Sequence, residues 1–459
     1  MDEKYRTMTS IKDPIIIAER MEKAHLGELV KLEDGRNGEV LALDKGLAVI
    51  QIFEGTDGLG NDASIRLTGS SYQTYVSEDV LGRIFDGFGR PLDGGPPIFS
   101  GDKRPIEGLP INPSKRSHPK KFIETGITSI DLLNSLVAGQ KLPIFSMSGL
   151  SHNQLAAQII NQSKMKDLIV IFCGLGLTRD DFAFFRLNAI TEKTRDRTVM
   201  FINMASDPAI ERLITPRLAL THAEYLAFEK GHNVLVLMSD TRNYCDALRE
   251  VSGAKREMPG RGGYPTYMYT NLATIFERAG SIKGKNGSIT QLAILTMPND
   301  DITHPIPDLT GFITEGQIVM DRDLFVKGIY PSINILPSLS RLMGAAVGEG
   351  RTRSDHREVS DQLYSFYSEG ISVRRLAAVI GQEALTDSER RMLSFADRFE
   401  KTVLSQGLSE NRTLEQSLDL AWEAFSLFKK QDLVHVSKEN VDKYYKAEDP
   451  GKREDGGTA

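Results

Sequence analysis

A short polar loop in the middle of the chain has the spacing of a phosphate-binding loop but lacks that loop's functional side chains. Such loops read G-x-x-x-x-G-K-[ST]; their backbone N–H groups wrap the phosphates, the Lys reaches the β/γ-phosphates and the hydroxyl holds Mg²⁺. Here Ser146 and Ser151 stand in place of the glycines, His152 in place of the Lys and Asn153 in place of the Ser/Thr. Histidine is mostly neutral at pH 7, so the permanent positive charge is missing. With Gly149 as the remaining glycine, the loop predicts weak nucleotide binding or none.

Two further positions bear on hydrolysis. Asp240 follows the apolar run 232–239, where P-loop ATPases carry an acid that helps to hold Mg²⁺. An Asp that simply begins the next loop is an equally good interpretation. After the run Leu168–Cys173, a hydrolase needs a carboxylate that orients and deprotonates the attacking water, but this chain has Leu175 between two glycines. The missing Lys, hydroxyl and carboxylate together predict that the pocket on this chain is not catalytic.

One arginine near the end of the α/β region could act on phosphate. Arg341 lies in Pro337-Ser-Leu-Ser-Arg-Leu342, which we predict to be a turn bounded by Pro and Ser. A guanidinium offers a rigid, permanent, bidentate charge to phosphate oxygens. In oligomeric ATPases such an arginine finger can reach a neighbour's site and stabilise transition-state charge, an effect of roughly 10³–10⁵ in rate. A solvated surface arginine is the competing interpretation.

The elements that must position these residues alternate between short apolar runs and helical patterns. The runs are near-continuous in β-branched and aliphatic residues, as in strands that are buried on both faces. Helical patterns lie between them, and one begins near Gln154, directly after the loop. This alternation predicts a parallel sheet with helices on both sides. The predicted strands are Leu142–Phe145, Leu168–Cys173, Thr198–Asn203, Val234–Met238 and Gln291–Thr296.

The two ends of the chain have residue patterns that differ from the alternating pattern of its middle. Residues 1–75 are predicted to be a β-barrel, since short strands such as 38–43 and 47–53 are joined by Gly-containing turns. Residues 76–349 hold the α/β pattern, and residues 350–446 are predicted to be helical. In that last region Thr386 and Thr413 open capping boxes that precede amphipathic helices. The polar, Gly-rich residues 447–459 are predicted to be disordered.

Composition excludes several classes of function. The chain has 459 residues and a net charge of −6, which argues against a general nucleic-acid binder, because phosphate affinity comes from clustered Lys and Arg. Two cysteines provide neither a disulfide framework nor a zinc site, so a reducing compartment is favoured. The charged first residues do not resemble a signal peptide. The apolar runs are shorter than the roughly 20 residues that cross a bilayer, so any role at a membrane must come through partners.

Several long strings resemble the B-type chain of vacuolar/archaeal-type rotary ATPases, in its prokaryotic form. The resemblance extends from about residue 5 to 445, and it is much more specific than a single glycine motif. It implies a multidomain α/β protein with an N-terminal β-barrel, a central RecA-like nucleotide-binding domain and a C-terminal helical bundle. The strings are Val49-Ile-Gln-Ile-Phe-Glu-Gly55, Ser206-Asp-Pro-Ala-Ile-Glu-Arg212, Gly260-Arg-Gly-Gly-Tyr-Pro-Thr-Tyr-Met-Tyr-Thr-Asn-Leu-Ala-Thr-Ile-Phe-Glu-Arg-Ala-Gly280, the segment 301–317 and the Pro337–Leu342 segment.

The resemblance also implies roles for the candidate residues. Such B subunits alternate with catalytic A subunits in a hexameric ring, bound to central and peripheral stalk subunits on the cytoplasmic side of the membrane. ATP or ADP and Mg²⁺ would be bound mainly by the A subunit, while Arg341 completes that site in trans. This chain would then be non-catalytic, and Ser146, Gly149, His152, Asn153 and Asp240 would form a vestigial pocket.

One alternative is a self-sufficient RecA-like hexameric motor, such as a type III export ATPase or a Rho-like helicase. That function requires an intact phosphate loop and a catalytic glutamate, and His152 and Leu175 count against it. Within the first hypothesis, the sequence leaves open whether protons or sodium ions are transported and whether ATP is mainly made or consumed.

Overall fold

The computed structural model describes residues 4–446, so the predicted disorder of 447–459 falls outside the described residues. The chain forms two compact units. The first holds residues up to 117, residues 167–297 and residues 301–313. The second holds residues 118–166, 298–300 and those from 314 onward. The predicted domain boundaries at 75/76 and 349/350 stay predictions.

An antiparallel seven-stranded sheet begins the first unit and confirms the predicted N-terminal β region. Its strands are β1 Lys4–Tyr5, β2 Met8–Lys12, β3 Ile15–Ala18, β4 Leu29–Leu32, β5 Asn37–Asp44, β6 Leu47–Ile52 and β7 Ile65–Leu67. They lie in the order β1-β7-β4-β5-β6-β3-β2. The predicted hairpin is β5–β6, where Lys45 and Gly46 have positive φ angles of 46° and 83°. Inward-facing aliphatic side chains such as Ile16, Val40 and Ile50 are fully buried.

Three short strands follow in the same unit. They are β8 Gln73–Val76, β9 Ile84–Asp86 and β10 Asp102–Pro105. Strands β8 and β10 pair antiparallel, and β9 is a parallel edge strand of the central sheet.

Residues 118–166 of the second unit carry the loop and the elements around it. These are β11 Phe122–Ile123, α1 Thr128–Asp131, β12 Leu136–Val137, β13 Ile144–Ser146 and α2 His152–Gln162. Strand β13 begins at Ile144, two residues after the predicted start at Leu142, because Pro143 has no N–H to donate to a ladder. Helix α2 begins at His152 rather than near Gln154.

The central sheet of the first unit confirms the predicted parallel α/β arrangement. The elements are β14 Leu168–Leu177, α3 Arg179–Asn188, β15 Thr198–Met204, α4 Ala209–Glu224, β16 Asn233–Ser239, α5 Thr241–Ala254, α6 Met268–Phe276, β17 Gly280–Ser281 and β18 Ser288–Thr296. Strands β9, β15, β14, β16 and β18 are parallel neighbours in that order, and β17 pairs antiparallel with β18. Every residue of β16 and β18 is buried, which explains why both strands are mostly apolar.

Helix α7 Pro305–Ile313 completes the first unit, and the second unit resumes with a short sheet. Its elements are β19 Gly316–Met320, α8 Arg322–Val326, β20 Ile333–Ser340 and α9 Met343–Ala346. Strand β19 is parallel to β13 and antiparallel to β20. The predicted turn over Pro337–Leu342 is correct for Arg341 and Leu342, which form a turn, and wrong for the first four residues, which belong to β20. The register shifts between Gln317 and Val319, and this bulge accommodates Pro337 within the strand.

Four helices complete the second unit and confirm the predicted helical region. They are α10 His356–Ile380, α11 Asp387–Arg398, α12 Leu414–Phe425 and α13 Lys438–Tyr444. The capping boxes at Thr386 and Thr413 form as predicted. Phe395, Phe399 and Phe425 are fully buried between the helices. Among the described residues, no helix combines the length and the apolar character that a bilayer crossing requires.

Candidate functional site

The candidate loop connects β13 to α2 and is closed at its base by a hydrogen bond. Ser146, the last residue of β13, is fully buried. Its hydroxyl lies 3.0 Å from Nδ1 of His152, the first residue of α2. The imidazole that replaces the phosphate-loop Lys is therefore held toward the start of the loop. It supplies a hydrogen-bonding group there but no permanent charge.

The backbone of the loop keeps features that suit an anion. Gly149 has a φ of +82°, and no atom lies within 4 Å of the position that a Cβ would take. Helix α2 has 11 residues, and its N-cap, Ser151, makes no side-chain capping bond. The first turn of a helix carries partial positive charge. Asn153, the second residue of α2, stands where a phosphate loop has its Mg²⁺ hydroxyl.

Arg322 contacts the loop, and the sequence analysis missed it. Its Nη2 donates to the carbonyl of Ser148 at 3.1 Å and to Asp300 Oδ2 at 2.7 Å. The Asp300 carboxylate thus pairs with a guanidinium that contacts the loop. Nothing in the sequence indicated this contact, because the three residues are far apart along the chain and belong to no motif.

Asp240 lies in the other unit, at the end of β16, and serves as a helix cap. It is the N-cap of α5, and its Oδ1 accepts the N–H of Arg242 at 2.9 Å. Both of its carboxylate oxygens also accept the N–H of Thr296 at 3.1 Å. An N-cap carboxylate satisfies backbone donors that the helix leaves open. This geometry gives Asp240 a structural role at the start of a helix rather than of a loop, and its place in a vestigial pocket stays a prediction.

The position expected for a catalytic carboxylate is apolar and tightly enclosed. Leu175 is buried, and its carbonyl accepts Nδ2 of Asn243 at 2.8 Å. The next residue, Gly176, donates its N–H to Asn203 Oδ1 at 3.1 Å. Arg212 Nε donates to the same oxygen at 2.8 Å. The end of β14 is therefore fixed by amide and guanidinium groups, and Leu175 places a hydrocarbon where a base would be needed.

Arg341 directly follows β20, and its side chain is exposed. Its backbone N–H donates to the carbonyl of Glu315 at 3.1 Å, which extends the β19–β20 ladder by one bond. Among the residues that the structure describes, its guanidinium makes one long hydrogen bond, from Nη1 to the carbonyl of Thr314 at 3.5 Å. Within residues 4–446 the structure gives Arg341 no ion pair. The backbone is fixed while the charged group is available.

Other arginines of the same unit do have acidic partners. Arg322 pairs with Asp300, and Arg353 pairs with both Asp355 and Asp419. Their guanidinium charges are compensated within the chain. Arg341 instead keeps most of its five N–H donors for a partner, as recognition of phosphate oxygens requires.

Models of three domain families match the chain. The nucleotide-binding domain of the ATP synthase alpha/beta family matches residues 126–340, and the beta-barrel domain of the same family matches residues 8–69. The C-terminal domain of V and A type ATP synthase matches residues 345–445. The barrel, the α/β domain and the helical domain expected from the sequence are thereby confirmed.

Two individual proteins extend this similarity over nearly the full length. The chain is 50% identical to the B subunit of the A-type ATP synthase from Aeropyrum pernix over 451 residues, which is 96% of this chain and 97% of that protein. It is also similar to a solved structure, a unique ATP synthase subunit NeqB from Nanoarcheaum equitans, with 39% identity and a TM-score of 0.73. That match covers 90% of this chain and 98% of the other.

Proposed function

This chain belongs to the family of B subunits of A-type ATP synthases, and from that premise we propose that it is a non-catalytic, regulatory ring subunit. Three copies would alternate with three catalytic A subunits in a hexameric ring held by central and peripheral stalk subunits. The ring would couple ATP synthesis or hydrolysis to the transport of protons or sodium ions. It would act at the cytoplasmic side of the membrane, which this chain reaches only through the complex.

The observation that supports a non-catalytic role most directly is the buried Leu175 at the position where a catalytic carboxylate is expected. A hydrolytic site needs a group that orients and deprotonates water, and a buried leucine can do neither. The loop adds two further losses, because His152 and Asn153 replace the phosphate-binding Lys and the Mg²⁺-binding hydroxyl. A chain with all three changes requires a partner to hydrolyse ATP.

We further propose that Arg341 acts in the partner's active site. ATP or ADP and Mg²⁺ would be held there mainly by the A subunit, and Mg²⁺ would neutralise charge on the phosphates. The Arg341 guanidinium would donate hydrogen bonds to the phosphoryl oxygens, where negative charge is stabilised during transfer. Three features support this role: its exposure, its lack of an acidic partner among residues 4–446 and its fixed backbone.

The remaining candidate residues would form a vestigial pocket. Gly149 and the start of α2 offer backbone groups to a phosphate, whereas His152 and Asn153 offer no permanent charge. Asp240 would belong to this pocket only if its carboxylate exchanged its present N–H donors for a hydrated ion. We therefore propose weak binding of nucleotide here, without turnover.

Substitution of Arg341 tests the proposal in the assembled ring. We expect Arg341→Ala to leave ring assembly with the A subunit intact and to lower ATP turnover by about 10³-fold, the lower range for an arginine finger. Arg341→Lys should have only slightly higher ATP turnover than Arg341→Ala, since Lys lacks the bidentate geometry of Arg. Arg391→Ala, at an exposed arginine of α11, is the matched control and should leave turnover unchanged.

Two results would contradict the proposal. Wild-type turnover by the Arg341→Ala ring would exclude the arginine-finger role. Clear ATP hydrolysis by the purified chain without the A subunit would exclude the non-catalytic role and would favour a self-sufficient RecA-like motor.

A further inference from the structure

A polar cluster, buried except for one partly exposed carboxylate, lies next to Arg341 in the second unit. It consists of Gln140, Glu315 and Ser340, which we call the strand-end clamp. Gln140 is fully buried and Ser340 is 7% exposed. Buried polar side chains are costly unless their hydrogen bonds are satisfied. Several of the bonds that satisfy this cluster end on Ser340 or on the carbonyl that accepts the N–H of Arg341.

Gln140 is the centre of the clamp. Its Nε2 donates to Ser340 Oγ at 2.9 Å and to the carbonyl of Glu315 at 3.1 Å. Its Oε1 accepts the N–H of Val137 at 3.1 Å. Both donors of the amide and one lone pair of its oxygen are thus used, which fixes the orientation of the side chain.

The carbonyl of Glu315 links the clamp to Arg341. It accepts the Gln140 amide, and it also accepts the backbone N–H of Arg341 at 3.1 Å. Glu315 itself is held by Lys141, whose N–H and Nζ donate to its carboxylate at 2.8 and 2.9 Å. The single backbone bond that extends the ladder to Arg341 therefore ends on an oxygen that Gln140 also holds in place.

Two close contacts reinforce the position of β20. Ser340 Oγ donates to the carbonyl of Ser135 at 2.9 Å. Gly316, the ladder partner of Ser340, has a φ of +131°, and a Cβ there would lie 2.0 Å from the carbonyl oxygen of Leu339. Only glycine permits this approach of the strands. The end of β20 has little freedom to tilt.

We infer that Gln140 is a positioning residue for Arg341, an inference that rests on the proposed finger role. Within residues 4–446 the Arg341 guanidinium has one long hydrogen bond, so the direction of its side chain depends on the backbone at the end of β20. Catalytic groups must be held within about 0.5 Å of their productive position. Gln140 supplies that precision through Ser340 and the Glu315 carbonyl, without touching the nucleotide.

Isosteric removal of the amide tests this inference in the assembled ring. We expect Gln140→Met to lower kcat by about tenfold with KM unchanged, since small misplacements of a catalytic group cost up to about 10²-fold. Ser340→Ala, a milder change, should lower kcat by about threefold through the same contact. Gln406→Met is the matched control: Gln406 is a buried glutamine of the same unit, bonded to Gly126, Thr128 and Glu410. That variant should keep wild-type kcat.

A double-variant cycle separates positioning from loss of stability. In the Arg341→Ala background, Gln140→Met should change the residual turnover by less than about twofold, because the group that it positions is already gone. Equal losses in both backgrounds would overturn the inference, as would wild-type kcat in Gln140→Met and in Ser340→Ala. If Arg341→Ala itself has full turnover, the proposed function fails first, and that result is distinct from a failure of Gln140 alone.

Discussion

At the residue scale, the chemistry of the candidate loop follows from the charges and hydrogen bonds of a few side chains. The His152 ring is held by the Ser146 hydroxyl at 3.0 Å. The nearby Arg322 guanidinium is paired with Asp300. Neither group offers an uncompensated, permanent positive charge to a triphosphate. A neutral loop of this kind retains backbone dipoles only, which are individually weak anion ligands.

Restoring the loop should not restore catalysis. We expect the double variant His152→Lys, Asn153→Thr to gain nucleotide affinity by about tenfold, the effect of one new charge-assisted contact of roughly 1.4 kcal/mol. It should gain no ATP hydrolysis, because Leu175 still supplies no base. Titration calorimetry with ADP measures the first effect and a phosphate-release assay the second. Turnover by this variant without the A subunit would show that a carboxylate is not the limiting feature.

At the element scale, helix α10 is anchored at its first residue by a buried histidine. Nε2 of His356 donates to the carbonyl of Leu132 at 3.0 Å, and Nδ1 lies 3.1 Å from the hydroxyl of Thr352, which can donate to it. Both ring nitrogens are satisfied in the neutral form. Burial lowers the pKa of His356 from 6.5 to about 4. This anchor joins α10 to the end of α1 within one unit.

The anchor should make stability depend on pH in the acid direction. The pKa of His356 is lower in the folded state than in the unfolded state. The stabilisation by neutral His356 is therefore fully present above about pH 6.5 and is lost as the pH falls toward 4. We expect the free energy of unfolding to fall by about 2 kcal/mol from pH 7 to pH 5 through this group. Denaturant unfolding followed by the fluorescence of Trp422, the single tryptophan, measures it.

Two variants isolate the contribution of His356. The glutamine in His356→Gln cannot titrate. The free energy of unfolding of this variant should therefore fall by about 2 kcal/mol less than that of the wild type between pH 7 and pH 5. His435→Gln, at an exposed histidine of the same unit, should keep the wild-type pH profile. Identical profiles for wild type and His356→Gln would show that this anchor does not carry the pH dependence.

At the scale of the whole molecule, the residues that nucleotide chemistry would use come from distant parts of the chain. The loop and Arg341 belong to the second unit, whereas Leu175 and Asp240 belong to the first. None of these groups provides a complete set of phosphate, metal and water ligands. The proposed place in an alternating ring would account for such a chain, since each interface would need only one catalytic set.

Nucleotide binding should therefore be a property of the ring more than of the chain. We expect calorimetric titration of the isolated chain with Mg-ADP to give a Kd weaker than about 1 mM, corresponding to less than roughly 4 kcal/mol. The ring with A subunits should bind at micromolar concentrations, in a ratio of about one nucleotide per A subunit. Micromolar binding by the isolated chain would show that the vestigial pocket is a functional site.

The architecture was predictable because its signals are local. Strands that are buried on both faces are mostly apolar, so the apolar runs of β14, β16 and β18 are visible in the sequence. Capping boxes at Thr386 and Thr413 place a donor and an acceptor three residues apart, and both form. Boundaries were less predictable: the Pro337–Leu342 segment is mostly strand, because a bulge in β20 opposite Ile318 accommodates its proline.

The sequence by itself determined what the candidate residues can do, since the missing lysine, hydroxyl and carboxylate are facts of residue type. Only the tertiary structure decided how those residues are held. The pairing of Arg322 with Asp300, the absence of an acidic partner for Arg341 within residues 4–446 and the amide of Gln140 near it all join distant segments. Such contacts arise when strands are brought into register, and the spacing of residues along the chain does not encode them.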